Sequence, residues 1–561
     1  MSNPDLTPSS RLCAYERLKQ VTFDLLVVGG GVVGAGIALD AARRGLRIAL
    51  VEAGDWASGA SSQSTKLIHG GVGHLEALDF PLVWNALRER AIIANIAPHL
   101  VRPVPFLYPL TNRYWERSFA AAEFALYDAL GSRRGIANKL PRHQHLGKGG
   151  TRRRAPGLDY SKVVGAVQYW DYRTDDSRYT LELVRTAKQY GATCISRTRM
   201  ERMHRDDGTV TGADVTDLES GLEYRIGAKL VITSTGAWTN GVLQRSGIDS
   251  AVQVRPSKGV HLVVRRRAIR SSCALLLRAG SGAWKNQACT LAVPWRSRWL
   301  IGCTDSDWLE PEDPTRPTVE EIRLLLSRAN QLLLQPILES DVVGSYAGLR
   351  PLVSTGAGIT TRLSRNHDVS SPCRGLIVVL GGKYTTYRYM AQETVDLAVR
   401  ALGFDPLPAS TDTLRLVGAD GYIDLWNSRV KLAKAYQISV EQVECLIATY
   451  GILAAQVLEI LQADRSLAEP LGAGAHIKAE VVYAAEREGA LHLEDVLDRR
   501  LSVSTEFPDR GPAVADTAAA VMGATLDWDS DRQESEARAY RQAMLVHAGA
   551  TFRPIAARPP S

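Results

Sequence analysis

Three glycines and one acid stand at the start of this chain's chemistry. Gly29, Gly31 and Gly34 fit the spacing G-x-G-x-x-G, and Glu52 follows. Gly29 allows a tight turn, Gly31 lets the backbone approach a pyrophosphate, and Gly34 lets a helix pack closely on a strand. A helix N-terminus placed there faces phosphates with free N–H groups and its positive dipole end. A carboxylate at Glu52 suits ribose hydroxyls. A bare glycine motif is weak, so its setting decides. Phe23–Val28 reads as a buried parallel strand that stops at glycine, residues 32–44 as a helix ending before Gly45, and Arg47–Val51 as a second strand ending at Glu52. Strand, glycine turn, helix and strand make a βαβ crossover that binds a dinucleotide.

The cofactor is read from what comes next. A nicotinamide protein of this architecture continues with regular βα units. Here the second strand runs into a long small-residue loop, Gly54 to Gly71, rich in hydroxyls. Ser61, Ser62, Lys66, His69, Gly70 and Gly71 can line an extended cofactor with backbone and side-chain donors, which points to FAD.

Cations for an anionic substrate come later in the chain. Arg350 follows a Gly-Leu pair and precedes Pro351, which restrains its backbone, and its guanidinium offers a fork to phosphate oxygens. Lys383 follows Gly381-Gly382 at the end of the apolar strand Leu376–Leu380. Glycines there permit close approach to a flavin ring, and the following helix start can stabilise negative charge on it. His261 lies in the apolar strand Val260–Val264. On its residues alone, a lone histidine there is more often a satisfied core residue.

These sites require elements and a setting to hold them. The 561 residues suffice for two or three domains. Hydrophobic residues are 45% and charged ones 23%, and 67 Lys+Arg against 60 Asp+Glu give a net charge of +7. That is no nucleic-acid signature; it favours an anionic substrate or an anionic membrane surface. Seven scattered cysteines without a C-x-x-C pair argue against a disulfide framework or a metal site and fit a reducing compartment. The first ten residues are polar with no secretory h-region, and residues 1–20 read as a loose leader. No uninterrupted apolar run reaches the roughly 20 residues of a membrane span. Thr318 and Glu321 form a capping-box pattern opening a helix. From about residue 410 the chain becomes Ala/Leu/Glu/Val-rich with helical spacing.

Motifs in order then carry a resemblance. Ser61-Ser62, Lys66-Leu67-Ile68-His69-Gly70-Gly71, Asp175-Asp176-Ser177-Arg178, Thr235-Gly236-Ala237-Trp238, Lys258-Gly259-Val260-His261, Gly302-Cys303-Thr304-Asp305, Tyr346 to Leu352, Gly381 to Tyr387, and Leu493-Glu494-Asp495 with Arg499-Arg500 resemble the FAD-dependent glycerol-3-phosphate dehydrogenases of the D-amino-acid-oxidase-like superfamily. The resemblance covers about residues 21 to 545. It implies an α/β fold: a Rossmann-like FAD-binding domain from residues 21–95, 165–250 and 345–405, an interleaved mixed-sheet substrate domain from 96–164 and 251–344, and a C-terminal α-helical domain over 410–550. It implies oxidation of sn-glycerol 3-phosphate at C2 to dihydroxyacetone phosphate, with hydride going to flavin N5 and electrons on to a quinone or oxygen. Catalytic roles fall to His261, Arg350 and Lys383, substrate contacts to Arg350, Lys383, Arg365, His74 and Thr386, and further flavin contacts to Gly236, Gly382, Lys383 and Thr385. Asp175 and Asp176 are expected in a structural polar network.

One departure stands out. The family's loop reads Gly-Gly-x-Arg-Tyr-Leu-Glu, whereas this chain has Gly73 for the arginine and His74 for the tyrosine. Either Arg350, Lys383 and a neighbour such as His74 hold the phosphate, or the substrate is a different, larger hydroxyl compound. An amine or amino-acid oxidase is disfavoured by Tyr384-Thr385-Thr386 and the helical C-terminus, and a non-catalytic flavin protein by the retained Arg350, Lys383 and His261. A cytoplasmic homodimer is expected. The aromatic, Ala-rich helix at residues 115–130, followed by basic residues up to Arg152-Arg153-Arg154, offers contact with a membrane face; the competing reading is a core-packing helix beside a solvated basic loop.

Overall fold

A computed structural model describes residues 2–72, 80–112, 115–131, 140–278, 289–308, 316–354, 367–405, 407–507 and 509–549. The predicted βαβ unit is present: strand Phe23–Val28, helix Val32–Arg43 and strand Ile48–Val51, the two strands parallel and in register from Leu25/Ile48 to Val28/Val51. Both strands are buried along their whole length, which is why they read as continuous apolar runs rather than as alternation.

Two sheets organise the described residues. In the first, strand order runs His367–Ser370, Leu376–Gly381, Glu223–Thr233, Phe23–Val28, Ile48–Val51, Thr193–Ile195, with a meander of Thr198–Asp206 and Thr209–Asp217 attached to Glu223–Thr233. Its central pairs are parallel, and helices Val32–Arg43, Asp176–Gln189 and Tyr387–Leu402 contribute to the core on one face. The second sheet is mixed. Its long members are Val101–Leu110 with Gly165–Thr174, and Gln253–Arg265 with Val342–Ser354, both pairs antiparallel. Helix Val319–Asn330 covers it through Ile322, Leu325, Leu326 and Ala329, opened by the capping box that Thr318 and Glu321 predict.

Several expectations need correction. Gly165–Thr174 and residues 345–354 of the strand Val342–Ser354 fall within the stretches expected to build the FAD-binding part, yet both strands pair in the second sheet. Short apolar runs carry no sign of which sheet they join. Residues 1–20 are not a loose leader: Pro8–Gln20 is a helix capped by Thr7, burying Ala14, Tyr15 and Leu18, and Leu6 bridges to Glu488. Its apolar inward face is just Ala14, Tyr15 and Leu18, with Arg11 adding polar ties to Ser196 and Asp217, a pattern too sparse to show against a polar background. The helix Trp115–Gly131 sends Ala120, Phe124 and Tyr127 into the core, so the core-packing reading describes that face.

Helices build the C-terminal part, as expected from residue 410 on. Among the described residues one stretch, Val440–Ala463, could cross a membrane by length and composition. It is broken at Gly451 (φ +60°), and Val443, Leu446, Ile447, Val457, Leu458 and Leu461 pack into a helical core.

Candidate active site

The glycine turn is built to admit something other than side chains. Gly29 has φ +110°, and a Cβ on Gly34 would lie 1.9 Å from the Gly29 carbonyl oxygen. Helix and strand therefore touch as no other residue would allow. Glu52, half-buried at the end of its strand, accepts the Gly30 N–H at 2.6 Å and the Gly54 N–H at 2.7 Å. Burial pushes its carboxyl above the usual range even though those N–H groups oppose the shift. Ser61 Oγ accepts the Val32 N–H at 2.9 Å, which sets this hydroxyl at the helix start where a pyrophosphate belongs. Ser62 donates to the Gly59 carbonyl at 3.4 Å. Gly236, at φ +56°, starts the turn whose Trp238 leans on Gly59. A cradle that any Cβ would fill, a hydroxyl at the helix start and a strand-end acid together fit the ADP half of FAD.

Four strands shape the other end. Gln253–Arg265 lies between Arg298–Gly302 and Val342–Ser354, with Ser306–Asp307 at its edge. His261 and Tyr346 are register partners, their rings stacked 4.8 Å apart and 12° from parallel. On the other side His261 faces Gly302, where a Cβ would sit 2.2 Å from the imidazole. Its Nε2 is 2.9 Å from Thr65 Oγ1. Burial first, then the charges of Arg350 and Lys66, push this histidine down to about 3, so the ring is neutral. Arg350 lies over Gly259, where a Cβ would meet Nη2 at 2.3 Å. Its Nη2 is 2.7 Å from Cys303 Sγ and its Nη1 3.7 Å from Asp305. One glycine thus makes room for the imidazole and another for the guanidinium.

Lys383 follows Gly381 and Gly382, both at positive φ, and caps the turn Tyr384–Thr386. A Cβ on Gly382 would strike Met390 at 2.3 Å. Thr385 Oγ1 accepts the His69 N–H at 3.3 Å, tying this turn to the small-residue loop, and Thr386 donates to the Lys383 carbonyl at 3.2 Å. Gly70 donates to Tyr127 OH at 3.0 Å, and Gly71 turns the chain at φ +75°.

Lys66, expected at the cofactor, donates from its ammonium to the Ser62 carbonyl in the small-residue loop at 3.3 Å. Its ammonium pairs with Asp176 and lies over the Trp295 ring at 5.4 Å. Asp176 also accepts the Ser64 hydroxyl at 2.6 Å, and Asp175 caps the helix that starts at Asp176 and accepts from Ser502. Both aspartates thus sit in polar networks. Gly73, His74 and Arg365 lie outside the described residues.

Sequence reasoning missed Thr65 and gave Tyr346 and Asp305 no role; only strand register brings them to His261 and Arg350. It also missed Asp55. In the small-residue loop this carboxylate is held by Arg500 at 2.7 and 2.8 Å and by Arg499 at 2.7 Å. Both arginines lie in the π-helical turn Asp495–Arg500 of the C-terminal part, and all three side chains are buried.

Known proteins share these features. The FAD-dependent oxidoreductase family matches residues 24–397, and the C-terminal domain of alpha-glycerophosphate oxidase matches residues 409–533. "Glycerol-3-phosphate dehydrogenase 2" of Mycobacterium tuberculosis is 42% identical over 534 residues, covering 94% of this chain and 89% of the relative. The mitochondrial glycerol-3-phosphate dehydrogenase of Bos taurus is 33% identical over 97% of this chain and 76% of its own. The crystal structure of the glycerol-3-phosphate dehydrogenase from Bacillus halodurans complexed with FAD aligns with TM-score 0.80 at 27% identity, over 98% of this chain and 99% of that one. A motif set spread from residue 24 to 533, matched nearly end to end, places the chain among the FAD-dependent oxidoreductases, in the glycerol-3-phosphate dehydrogenase family.

Proposed function

We propose that this FAD-dependent oxidoreductase oxidises sn-glycerol 3-phosphate at C2 to dihydroxyacetone phosphate. The observation that carries the reading is the pairing of a guanidinium with a neutral imidazole on neighbouring strands, each given room by its own glycine. FAD held at the glycine turn supplies the two-electron acceptor for the C2 hydride. Arg350 takes the phosphate through its planar fork, and Lys383 adds a second cation. His261 accepts the hydroxyl proton at Nε2, whose partner without substrate is Thr65. A phosphate dianion beside Arg350 offsets one of the charges that depress this imidazole, so substrate binding raises its basicity. Tyr346 holds the ring by stacking. The electrons pass on to a quinone or to oxygen, and a cytoplasmic place, at the membrane face where quinone is the acceptor, suits that step.

Gly73 and His74 favour a second reading within the same frame. Where the resembled family's pattern has an arginine and a tyrosine, this chain has the smaller side chains of Gly73 and His74 with fewer donors, which suits a larger hydroxyl substrate bearing the same phosphate. Anaerobic titration of the yellow protein separates the two. Glycerol 3-phosphate is expected to bleach the oxidised-flavin band, and glycerol and amino acids are not. A band that persists with glycerol 3-phosphate but bleaches with a substituted glycerol phosphate replaces the first reading with the second.

A further inference from the structure

The strand that carries His261 continues four residues to Arg265, about 13 Å away at ~3.3 Å per residue. There four arginines meet. Arg265 is the register partner of Arg298 on the neighbouring strand, and Arg266 and Arg267 follow in the turn Arg266–Ala268. With Val343 they line an open cavity of about 460 Å³.

Arg265, Arg266 and Arg267 are exposed and Arg298 is half-buried, and three features set the cluster apart from scattered surface charge. First, among the described residues none of the four forms an ion pair with a carboxylate; what their guanidinium groups reach are backbone carbonyls. Arg265 donates to Ser340 at 2.8 Å, Arg266 to Ser271 at 3.2 Å and Arg298 to Ser297 at 3.2 Å. Second, one of the heads is held in place. Arg266 stacks over Trp299 at 4.2 Å, and the Trp299 indole N–H fixes the Arg266 carbonyl at 3.0 Å. Third, Arg298 Nε is buried and lacks a hydrogen-bond partner. Four like charges gathered without a counter-charge repel one another, and an anion relieves that repulsion. Planar forks side by side match adjacent phosphate groups.

We propose that Arg265, Arg266, Arg267 and Arg298 form a second anion site, separate from the substrate site, that binds a compact soluble polyanion carrying adjacent phosphate groups. Soluble ligand is favoured over lipid headgroups because Val343 is the only apolar side chain lining the cavity, leaving no apolar surface to enter a bilayer.

The test uses the FAD-loaded full chain, with tripolyphosphate as probe and sulfate at matched ionic strength as control. Calorimetric titration should show one saturable site for tripolyphosphate. Binding should weaken about tenfold or more in Arg265→Gln/Arg298→Gln and persist in Arg205→Gln, an exposed arginine elsewhere. The double variant should also melt at a higher temperature than wild type without tripolyphosphate, since it loses mutual repulsion, and gain less on its addition. Equal tripolyphosphate affinity in wild type and double variant overturns the site. So does binding to phosphatidylglycerol vesicles without binding to tripolyphosphate, which assigns the arginines to a membrane. Flavin bleaching by glycerol 3-phosphate is read separately in each variant and should not change, so failure here leaves the proposed activity standing.

Discussion

Two glycines hold the functional side chains apart from the backbone, and they define a sharp test. In Gly302→Ala the new methyl would sit 2.2 Å from the His261 ring; in Gly259→Ala it would sit 2.3 Å from Arg350 Nη2. Neither glycine touches the nucleotide turn. We expect both variants to keep their yellow colour and to fail differently. Displacing a general base costs on the order of 10²-fold or more in rate, so Gly302→Ala should lose kcat. Displacing a phosphate-binding guanidinium removes charge-assisted bonds of roughly 1.5–3 kcal/mol each, so Gly259→Ala should show about a tenfold or larger rise in KM for glycerol 3-phosphate. Steady-state kinetics with a flavin absorbance check reads both, and indistinguishable kinetics for the two would refute the division of roles. A third variant at this scale, Arg350→Lys, keeps the charge but loses the fork, and is expected to behave like Gly259→Ala rather than like wild type. These positions also show the limit of residue-level reading. Gly29, Gly31 and Gly34 were legible because one local turn needs all three. Gly259 and Gly302 were not, because the groups they admit come from strands that only register brings alongside.

At the scale of elements, the βαβ unit was legible because buried parallel strands leave apolar runs and the glycine turn leaves its spacing. The sheet membership of Gly165–Thr174 and Val342–Ser354 was not, since both runs pair with strands distant in sequence. The same blindness hid the contact between Asp55 and the turn Asp495–Arg500. Asp55 follows Glu52 closely, and Arg500 grips it with two bonds while Arg499 adds a third. All three side chains are buried, and removing Arg500 strips Asp55 of two of its three charge-assisted bonds, worth roughly 1.5–3 kcal/mol each, and leaves it to Arg499 alone. We expect Arg500→Gln to loosen the loop that carries Glu52 and Ser61. The purified variant should hold substoichiometric FAD and regain it only at raised FAD concentration, with a lower melting temperature. Full FAD occupancy at wild-type affinity would show that the C-terminal turn does not position the cofactor loop. Gly34→Ala is the companion control, since its methyl would collide with the Gly29 carbonyl inside the turn itself; that variant should bind no FAD whatever the concentration.

For the whole molecule, the question is how the C-terminal helices stay docked on the first sheet's side. Buried ion pairs do much of it. Arg178 and Arg185, on the helix Asp176–Gln189, meet Glu488, and Arg197 meets Asp495. His492 adds a junction that titrates. Its Nε2 reaches Glu219 in the turn that joins Thr209–Asp217 to Glu223–Thr233, and its Nδ1 reaches Glu536 on the helix Ser530–Gly549, each at 2.9 Å. Burial opposes the charged ring, but the two carboxylates outweigh it and raise the histidine to about 9. Glu219 and Glu536 are correspondingly held below the usual carboxylate range. A group raised on folding stabilises the folded state fully below its unfolded value, near 6.5, and loses that contribution as pH climbs through the folded value. Docking should therefore weaken between about pH 6.5 and 9. Partial exposure limits the effect to on the order of 1 kcal/mol. Other groups titrate in the same range, so the quantity to measure is the difference between wild type and His492→Gln. Melting temperatures taken across this range should converge as pH rises, with the wild type ahead only on the acid side. Curves that stay parallel would mean that His492 is neutral in the folded protein and that the carboxylates on either side do not hold a charge between the two parts.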